Sequence, residues 1–248
     1  MKRLKVCLDE NLCSMGIEQW ITLDEFFTMG QRCLIVGPSG SGKTVFATSL
    51  LGKLSLHLKE PVIYLIDPKG IDFRFCEKCS NYYPVDKAPE GLEEFFELFE
   101  NRLHSPDVFK QPIILFVDEL SSLILSLPKK EGDALKNKMA RILNLSRALN
   151  ISVITALQRA DASFFENGAR DNYNIRFLMG NIANNKEAVA MIANEYRDFI
   201  TPCKTGIGYM ITDNGIKKIR SVLPRNTNKL HEVICEAVNR RPSGGAKQ

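Results

Sequence analysis

The segment at residues 37–44 constrains the fold of this chain more than any other feature of its sequence. It reads GPSGSGKT and matches the pattern G-x-x-x-x-G-K-[ST]. An apolar run at residues 33–36 precedes it, and a helical pattern at residues 44–58 follows it. In this context the motif predicts a loop whose backbone N–H groups bind phosphate oxygens at the N-terminus of a helix.

Short apolar runs rich in β-branched residues recur along the chain, with room for helices between them. We interpret four of them as strands buried on both faces: residues 33–36, 62–66, 113–117 and 151–156. Helical patterns separate them, for example at residues 91–103. Strands that alternate with helices predict an α/β fold with a mostly parallel central sheet, flanked by helices.

The last part of the chain has a different pattern. Apolar runs at residues 208–212 and 216–222 flank the tripeptide Asp213-Asn214-Gly215, which is typical of a β-hairpin turn. A helical pattern at residues 228–239 follows. We therefore expect one domain over residues 1–240, with a β-rich lead-in at residues 1–30, a C-terminal β-hairpin and helix, and a flexible tail at residues 241–248.

The composition is ordinary for a globular protein, with 44% hydrophobic and 25% charged residues, and indicates neither disorder nor a fibrous structure. No apolar run approaches the roughly 18 to 20 residues needed to cross a bilayer, and the first residues do not resemble a signal peptide. We therefore expect a cytoplasmic protein without a membrane segment of its own. The net charge of +4 permits contact with nucleic acid but does not argue strongly for it.

The seven cysteines are odd in number and scattered through apolar segments, which favours reduced, partly buried thiols over a disulfide framework. Cys76 and Cys79 form one CxxC motif. A zinc site usually needs a second pair of ligands at similar spacing, and the sequence near this motif contains none. The pattern therefore favours free thiols over a metal site.

Two carboxylates complete the predicted nucleotide site. Lys43 is expected to reach the β and γ phosphates of ATP, and the Thr44 hydroxyl to bind the accompanying Mg²⁺. Asp118 and Glu119 follow the predicted strand at residues 113–117, at the edge where α/β sheets gather ligands. Asp118 is expected to hold the Mg²⁺ shell, and Glu119 to orient and deprotonate the attacking water, which predicts hydrolysis. The phosphate loop supplies the other nucleotide-binding residues: Gly37, Pro38, Ser39, Gly40, Ser41 and Gly42.

Further segments follow the phosphate loop in an order that characterises one family. They are IDPKG at residues 66–70, DEL at residues 118–120 and the stretch at residues 146–159. With the phosphate loop, they resemble the FtsK/SpoIIIE/HerA DNA translocases over most of the chain. Leu157 and Ala160 stand where the family has Thr and Pro, whereas Gln158 is kept. The resemblance implies a RecA-like P-loop fold.

The resemblance also implies roles for one glutamine and two arginines. Gln158 would hydrogen-bond the γ phosphate or the attacking water. Arg147 is the first candidate for an arginine that a neighbouring subunit supplies in trans, and Arg176 is the second. The alternative interpretations are that Gln158 satisfies backbone groups and that each arginine forms a surface ion pair.

At the level of the whole protein, the resemblance implies a homo-hexameric ring that hydrolyses ATP to move double-stranded DNA, as in conjugative or other mobile elements. It leaves open recruitment to a membrane or transfer apparatus by a partner protein. DNA contacts would be to phosphates, from loops that face the pore. The candidate loops are residues 159–174, with Arg159 and Arg170, and residues 71–78, with Arg74 and Lys78.

Other functions remain open at this point. A viral genome-packaging ATPase would use the same ring and site, and a nucleotide-dependent assembly protein would use ATP only to set its conformation. Glu119 argues against the second, because a pure switch needs no catalytic base. The sequence shows no signature of a transporter ATPase and no arginine-rich kinase lid. It also lacks the family's membrane helices and winged-helix module, so we expect neither septal anchoring nor sequence-directed polarity.

Overall fold

The computed structural model describes residues 4–23, 30–105, 111–158 and 171–242. Within these ranges the strands are β1 (Leu4–Asp9), β2 (Trp20–Leu23), β3 (Arg32–Val36), β4 (Val62–Asp67), β5 (Tyr82–Pro84), β6 (Ile113–Asp118), β7 (Ile151–Leu157), β8 (Ile175–Met179), β9 (Ile207–Thr212) and β10 (Gly215–Arg220). The α-helices are α1 (Glu10–Ser14), α2 (Lys43–His57), α3 (Ala88–His104), α4 (Leu120–Ser126), α5 (Lys129–Leu145), α6 (Lys186–Ala193) and α7 (Thr227–Asn239).

All the strands join one ten-stranded sheet in the order β2-β1-β10-β9-β8-β3-β7-β6-β4-β5. The segment from β8 to β5 is parallel throughout. The segment from β2 to β9 is antiparallel and joins the parallel part through β8 and β9. The α/β fold with a mostly parallel central sheet is therefore confirmed, and strands from both ends of the sequence extend it.

Helices cover both faces of the sheet, because the side chains of each central strand point alternately to opposite faces. On β3, Cys33 and Ile35 pack with α2 and α7, whereas Leu34 and Val36 pack with α3, α5 and α6. The four side chains are fully buried. This two-sided burial holds the parallel strands in fixed register and aligns their carboxyl ends at one edge of the sheet.

The C-terminal elements lie where the sequence predicts them. The hairpin pairs β9 with β10 through Thr212 and Gly215. The side chain of Asn226 caps α7 by accepting a hydrogen bond from the backbone N–H of Lys229 at 2.9 Å. The predicted flexible tail lies largely outside the described residues. In the part of the chain that the structure describes, no helix combines the length and the apolar character needed to span a bilayer.

Candidate nucleotide site

The loop between β3 and α2 forms a tight cradle at the carboxyl edge of the sheet. Gly42 adopts the left-handed conformation, with φ of 87°, and α2 begins at the next residue, Lys43. A Cβ on Gly37 would lie 2.5 Å from the Ser41 Oγ and 2.9 Å from the backbone oxygen of Met179. Only glycine fits there, and the close packing brings the loop backbone to the N-terminus of α2, where an anion is stabilised.

Lys43 joins this cradle to the end of β6. Its Nζ lies 3.5 Å from Asp118 Oδ1 and 3.7 Å from Glu119 Oε2. The three side chains are at most 6% exposed. A buried cation between two buried carboxylates is stabilised by the pairing, whereas removal of one partner would leave an uncompensated charge.

The two adjacent carboxylates have opposite pKa shifts. Burial raises the pKa of Asp118 to about 6, although the charge of Lys43 acts to lower it. Burial also acts to raise the pKa of Glu119, but it is outweighed by hydrogen bonds from the Ser121 hydroxyl and the Gln158 N–H together with the charges of Lys43 and Lys69. The pKa of Glu119 is therefore below its usual value, so Glu119 keeps its negative charge to a lower pH than Asp118 does.

Glu119 is held in place by several contacts. It adopts a left-handed backbone conformation, with φ of 54°, which is strained for a residue with a side chain. Its Oε1 accepts a hydrogen bond from Ser121 Oγ at 2.6 Å, and both carboxylate oxygens lie 3.1 Å from the backbone N of Gln158. The strained backbone and the fixed side chain together aim this carboxylate at the edge of the sheet.

Two residues to which the sequence analysis assigns no role at the nucleotide also contact the site. Lys69 Nζ lies 3.3 Å from Glu119 Oε2, and the Thr44 hydroxyl donates to Asp72 Oδ2 at 3.2 Å. Both Lys69 and Asp72 follow β4, the neighbour of β6 in the sheet. The DPKG segment can be recognised in the sequence as a family motif. Only the pairing of β4 with β6 shows that its lysine reaches Glu119.

The residues present fit a magnesium nucleotide. Asp118 Oδ2 is buried and has no hydrogen-bond partner within the described residues, and the same holds for Ser41 Oγ in the phosphate loop. Free oxygen atoms of this kind are what a hard cation and its water shell require. Thr44, at the first turn of α2, and Asp118 would hold the Mg²⁺, and the loop with Lys43 would hold the phosphates.

Gln158 lies directly after β7 and faces the phosphate loop. Its side chain lines a cleft together with Pro38, Ser39 and Asn181. The sequence assigns Gln158 a role beside the nucleotide, and the cleft is the place from which it would act. Its backbone also supports Glu119, a contact that sequence reasoning did not anticipate.

Arg147 and Arg176 lie together, but away from the phosphate loop. Both line a cleft with Arg32, and Arg32 is the first residue of β3. The five residues of β3 separate this cleft from the phosphate loop by roughly 16 Å at the usual rise per residue. Arg147, which precedes β7 at the same edge as Arg32, is therefore too far away to reach the nucleotide of its own subunit. Arg176 lies opposite Leu34 in the middle of β3.

The two arginines differ in what they contact. The Arg176 guanidinium donates to the backbone oxygen of Ile192 and to Glu195 Oε1, the latter at 2.6 Å. Arg147 is exposed, and within the described residues its guanidinium forms no hydrogen bond or ion pair, although its backbone oxygen accepts from the N–H of Asn150. Its positive charge contributes to lowering the pKa of Arg32, after the larger effect of burial. Arg147 is thus the arginine available to a neighbouring molecule.

Of the two candidate DNA loops, only the one at residues 71–78 lies within the described residues. Arg74 and Lys78 are exposed, and Arg74 Nε donates to the backbone oxygen of Gly70 at 3.0 Å. This contact orients Arg74 within a short 3-10 turn, Arg74–Cys76. Arg159 and Arg170 lie outside the described residues, so their assignment to a DNA-binding loop stays a prediction.

Comparison with known proteins finds a family model that matches the part of the chain containing this site. A family model described as ATPase family associated with various cellular activities (AAA) matches residues 33–181, which is more than half of the chain. The matched segment begins in β3 and ends just after β8, so it contains the phosphate loop and both carboxylates.

Curated relatives confirm the resemblance to FtsK-type proteins. The Ftsk domain-containing protein YdcQ of Bacillus subtilis (strain 168) is 22% identical over 87% of this chain and 48% of its own length. The DNA translocase FtsK of Leptospira interrogans serogroup Icterohaemorrhagiae serovar copenhageni is 28% identical over 51% of this chain and 16% of its own length. The chain therefore spans about half of one relative and less than a fifth of the other.

The fold has counterparts among solved structures. The pCW3 conjugation coupling protein TcpA, in monomer form with ATPgS, superposes with a TM-score of 0.71 at 17% identity. The alignment covers 94% of this chain and 70% of that one. At this identity the match establishes a shared fold.

Proposed function

The chain belongs to the AAA family of ATPases, and from that premise we propose that it hydrolyses ATP to move double-stranded DNA through a homo-hexameric ring. The observation that carries the proposal is the arrangement of charges on the sheet. Lys43, Asp118 and Glu119 form a buried group at the carboxyl edge, whereas Arg147 lies exposed at the opposite edge. Such a chain needs a neighbour to complete its site.

The residues of one chain account for binding and for activation of water. The glycines of the phosphate loop and Lys43 would bind the phosphates. Asp118 and Thr44 would hold a Mg²⁺ ion, which would supply positive charge beside them. Glu119, held ionised by Ser121 and the Gln158 N–H, accepts the proton of the attacking water. Lys69 contacts the same carboxylate and keeps it oriented.

The remaining cation would come from the next subunit. Arg147 of one subunit would reach the phosphates held by its neighbour and stabilise the charge of the transition state. Hydrolysis would then depend on assembly, because no single chain contains both halves of the site. Gln158, between the phosphate loop and Glu119, would report the state of the nucleotide to the rest of the subunit.

The names of two similar proteins support a role in moving DNA. One is a DNA translocase, and the structural neighbour is a conjugation coupling protein. The exposed Arg74 and Lys78 lie on the segment that carries Lys69 and Asp72 into the nucleotide site. A change at the phosphates could therefore reach a DNA phosphate contact along less than a dozen residues of chain. Recruitment to a membrane or transfer apparatus would need a partner protein.

The test is ATP turnover of the assembled protein with and without linear duplex DNA, over a series of salt concentrations. We expect duplex DNA to stimulate turnover at low salt and salt to abolish the stimulation, because the contacts are to phosphates. Negative-stain images with a non-hydrolysable ATP analogue and duplex DNA should show six-fold rings around the duplex. The paired variant Arg74→Ala/Lys78→Ala should weaken the stimulation and leave basal turnover unchanged.

Glu119→Gln provides the control for turnover, since it keeps the nucleotide-binding residues and removes the base. Turnover that is indifferent to duplex DNA at low salt would contradict translocation. A requirement for a capsid protein instead of DNA alone would favour the packaging motor. Turnover by Glu119→Gln equal to that of the wild type would contradict hydrolysis at this site.

A further inference from the structure

Three cysteines from distant parts of the chain meet on the face of the sheet that α2 and α7 cover. Cys76 and Cys79 lie in the segment between β4 and β5, and Cys235 lies on α7. Their Sγ atoms are all within 4.8 Å of one another. The nucleotide site uses none of these side chains.

We propose that Cys76, Cys79 and Cys235 bind one Zn²⁺ ion as thiolates, and that the ion fastens the segment after β4 to α7. Each thiol gives up its proton to solvent as its sulfur binds the ion, so no oxidant or reductant takes part. CxxC is a common spacing for two zinc ligands, and α7 supplies the third from more than 150 positions further along the chain.

The distance between two of the sulfurs matches that in a tetrahedral zinc site. Cys76 Sγ and Cys235 Sγ are 3.8 Å apart. With Zn–S bonds of about 2.3 Å, two sulfurs of a tetrahedral zinc site lie about 3.8 Å apart. A disulfide requires about 2.05 Å and would use two of the three thiols, leaving the third without a role.

Hydrogen bonds fold the CxxC segment and tie it to the end of α7 independently of any ion. The N–H of Cys76 donates to the backbone oxygen of Phe73, and the N–H of Cys79 donates to that of Cys76, each at 2.8 Å. Two residues after Cys79, Asn81 donates from its backbone N–H to the backbone oxygen of Val238 and from its side chain to the backbone oxygen of Arg240. The site is therefore built before a metal arrives, which lowers the cost of binding.

The surroundings leave one coordination position open. Cys76 is fully buried, whereas Cys79 and Cys235 are half-buried, so a water molecule can complete the tetrahedron from the solvent side. His231 occupies the preceding turn of α7, where its ring stacks on Phe75 with centroids 3.7 Å apart. The three thiols are thus the ligands that the structure assigns.

The ion would connect two parts of the nucleotide machinery. The segment that carries Cys76 and Cys79 also carries Lys69 and Asp72, whose side chains contact Glu119 and Thr44. α7 packs against α2, the helix that begins at Lys43. Zinc would hold the distal end of this segment to the helix layer behind the phosphate loop.

The experiment uses the full chain, purified without chelator, and measures zinc per chain by mass spectrometry of the metal. We expect about one ion per chain in the wild type and in the control variant Cys13→Ser, and a loss of zinc in Cys235→Ser. Cys13 is a free cysteine on α1 and comparable in burial to Cys235. Added Zn²⁺ should raise the Tm of metal-free wild type by several degrees, with no such shift in Cys235→Ser.

A second measurement does not depend on a variant that folds. The reduced, metal-free wild type is titrated with Co²⁺, which should produce the intense near-ultraviolet band of cobalt bound to thiolates and saturate at one equivalent. Absence of that band would overturn the proposal. A native mass lower by two hydrogens with no metal would overturn it in favour of a disulfide. These readouts are independent of ATP turnover. The zinc proposal can therefore fail while the proposed function holds, and the reverse.

Discussion

The two edges of the parallel sheet differ in how much of their chemistry one chain supplies. At the carboxyl edge, Lys43, Asp118 and Glu119 are nearly inaccessible to solvent and contact one another. At the amino edge, Arg32, Arg147 and Arg176 line an open cleft, and Arg147 has no ion-pair partner among the described residues. One edge is assembled by folding alone, whereas the other presents a cation that a second subunit can use.

This difference between the two edges indicates where the assembly of subunits can control ATP hydrolysis. A buried set of charges is fixed by the fold, because each member would be costly to leave unpaired. An exposed arginine loses little by moving to a phosphate on a neighbouring molecule. Substitutions at the two edges should therefore have different effects on binding, turnover and stability.

Lys43→Ala should have the largest effect, because it removes the cation that reaches the phosphates and leaves the buried Asp118 without its ion-pair partner. We expect nucleotide affinity to fall by about 100-fold or more and turnover to be lost. Binding of a fluorescent ATP analogue and phosphate release measure the two effects. Lys59→Ala, at an exposed position just beyond α2, is the matched control. Unchanged affinity in Lys43→Ala would refute the assignment of the carboxyl edge.

Arg147→Ala should lower turnover by about 1000-fold with nucleotide affinity unchanged, because an arginine supplied in trans acts on the transition state. The decisive measurement is the turnover of rings assembled from a mixture of Arg147→Ala and Lys43→Ala subunits. Subunits with Arg147→Ala keep an intact phosphate site, and subunits with Lys43→Ala keep an intact Arg147. A mixed ring should recover turnover that neither variant shows alone. Absence of recovery in rings that contain both variants would place Arg147 outside the site.

Glu119→Gln should lower turnover by about 100-fold, because the amide cannot accept the proton of water. Gln still accepts hydrogen bonds from Ser121 and from the backbone of Gln158, so ATP affinity should stay within a few-fold of the wild type. Single-turnover hydrolysis and equilibrium binding separate these effects. Equal losses of affinity and turnover would mean that Glu119 serves nucleotide binding instead of catalysis.

Arg176→Ala should have the smallest effect on turnover and act on stability. Its guanidinium bridges the end of α6 to Glu195, and loss of these hydrogen bonds should cost about 1 to 2 kcal/mol in the free energy of unfolding. Urea denaturation measures this change. If instead Arg176→Ala lowered turnover by about 1000-fold and left stability unchanged, Arg176 would be the arginine supplied in trans.

Much of the fold can be predicted from the sequence, because its signals are local. Apolar runs with β-branched residues predict the central strands, and the Asn-Gly turn predicts the β9–β10 hairpin. The sequence predicts a β-rich lead-in at residues 1–30 without the bounds of β1 and β2, and it contains no indication that β1 pairs with β10 more than 200 positions away. Pairing over such separations is decided by the packing of the whole sheet.

In the candidate site, too, some features can be predicted from the sequence and others cannot. The phosphate loop and the two carboxylates can be identified by motif, since each motif carries its own backbone geometry. The contact of Lys69 with Glu119 and that of Thr44 with Asp72 cannot, because they join loops that follow different strands. The cysteine cluster is the clearest case. The CxxC motif lacks a second pair of ligands nearby in the sequence, and Cys235 joins it only when α7 folds against the segment after β4.

The sequence by itself determined the phosphate loop, the strand-end carboxylates and the alternation of strands and helices, because each depends on residues close together in the chain. The tertiary structure alone decided which side chains fix Glu119, which arginine stays exposed and where the third cysteine lies. These depend on the order of strands in the sheet. That order follows from burying two apolar faces at once, a condition that no short segment of sequence contains.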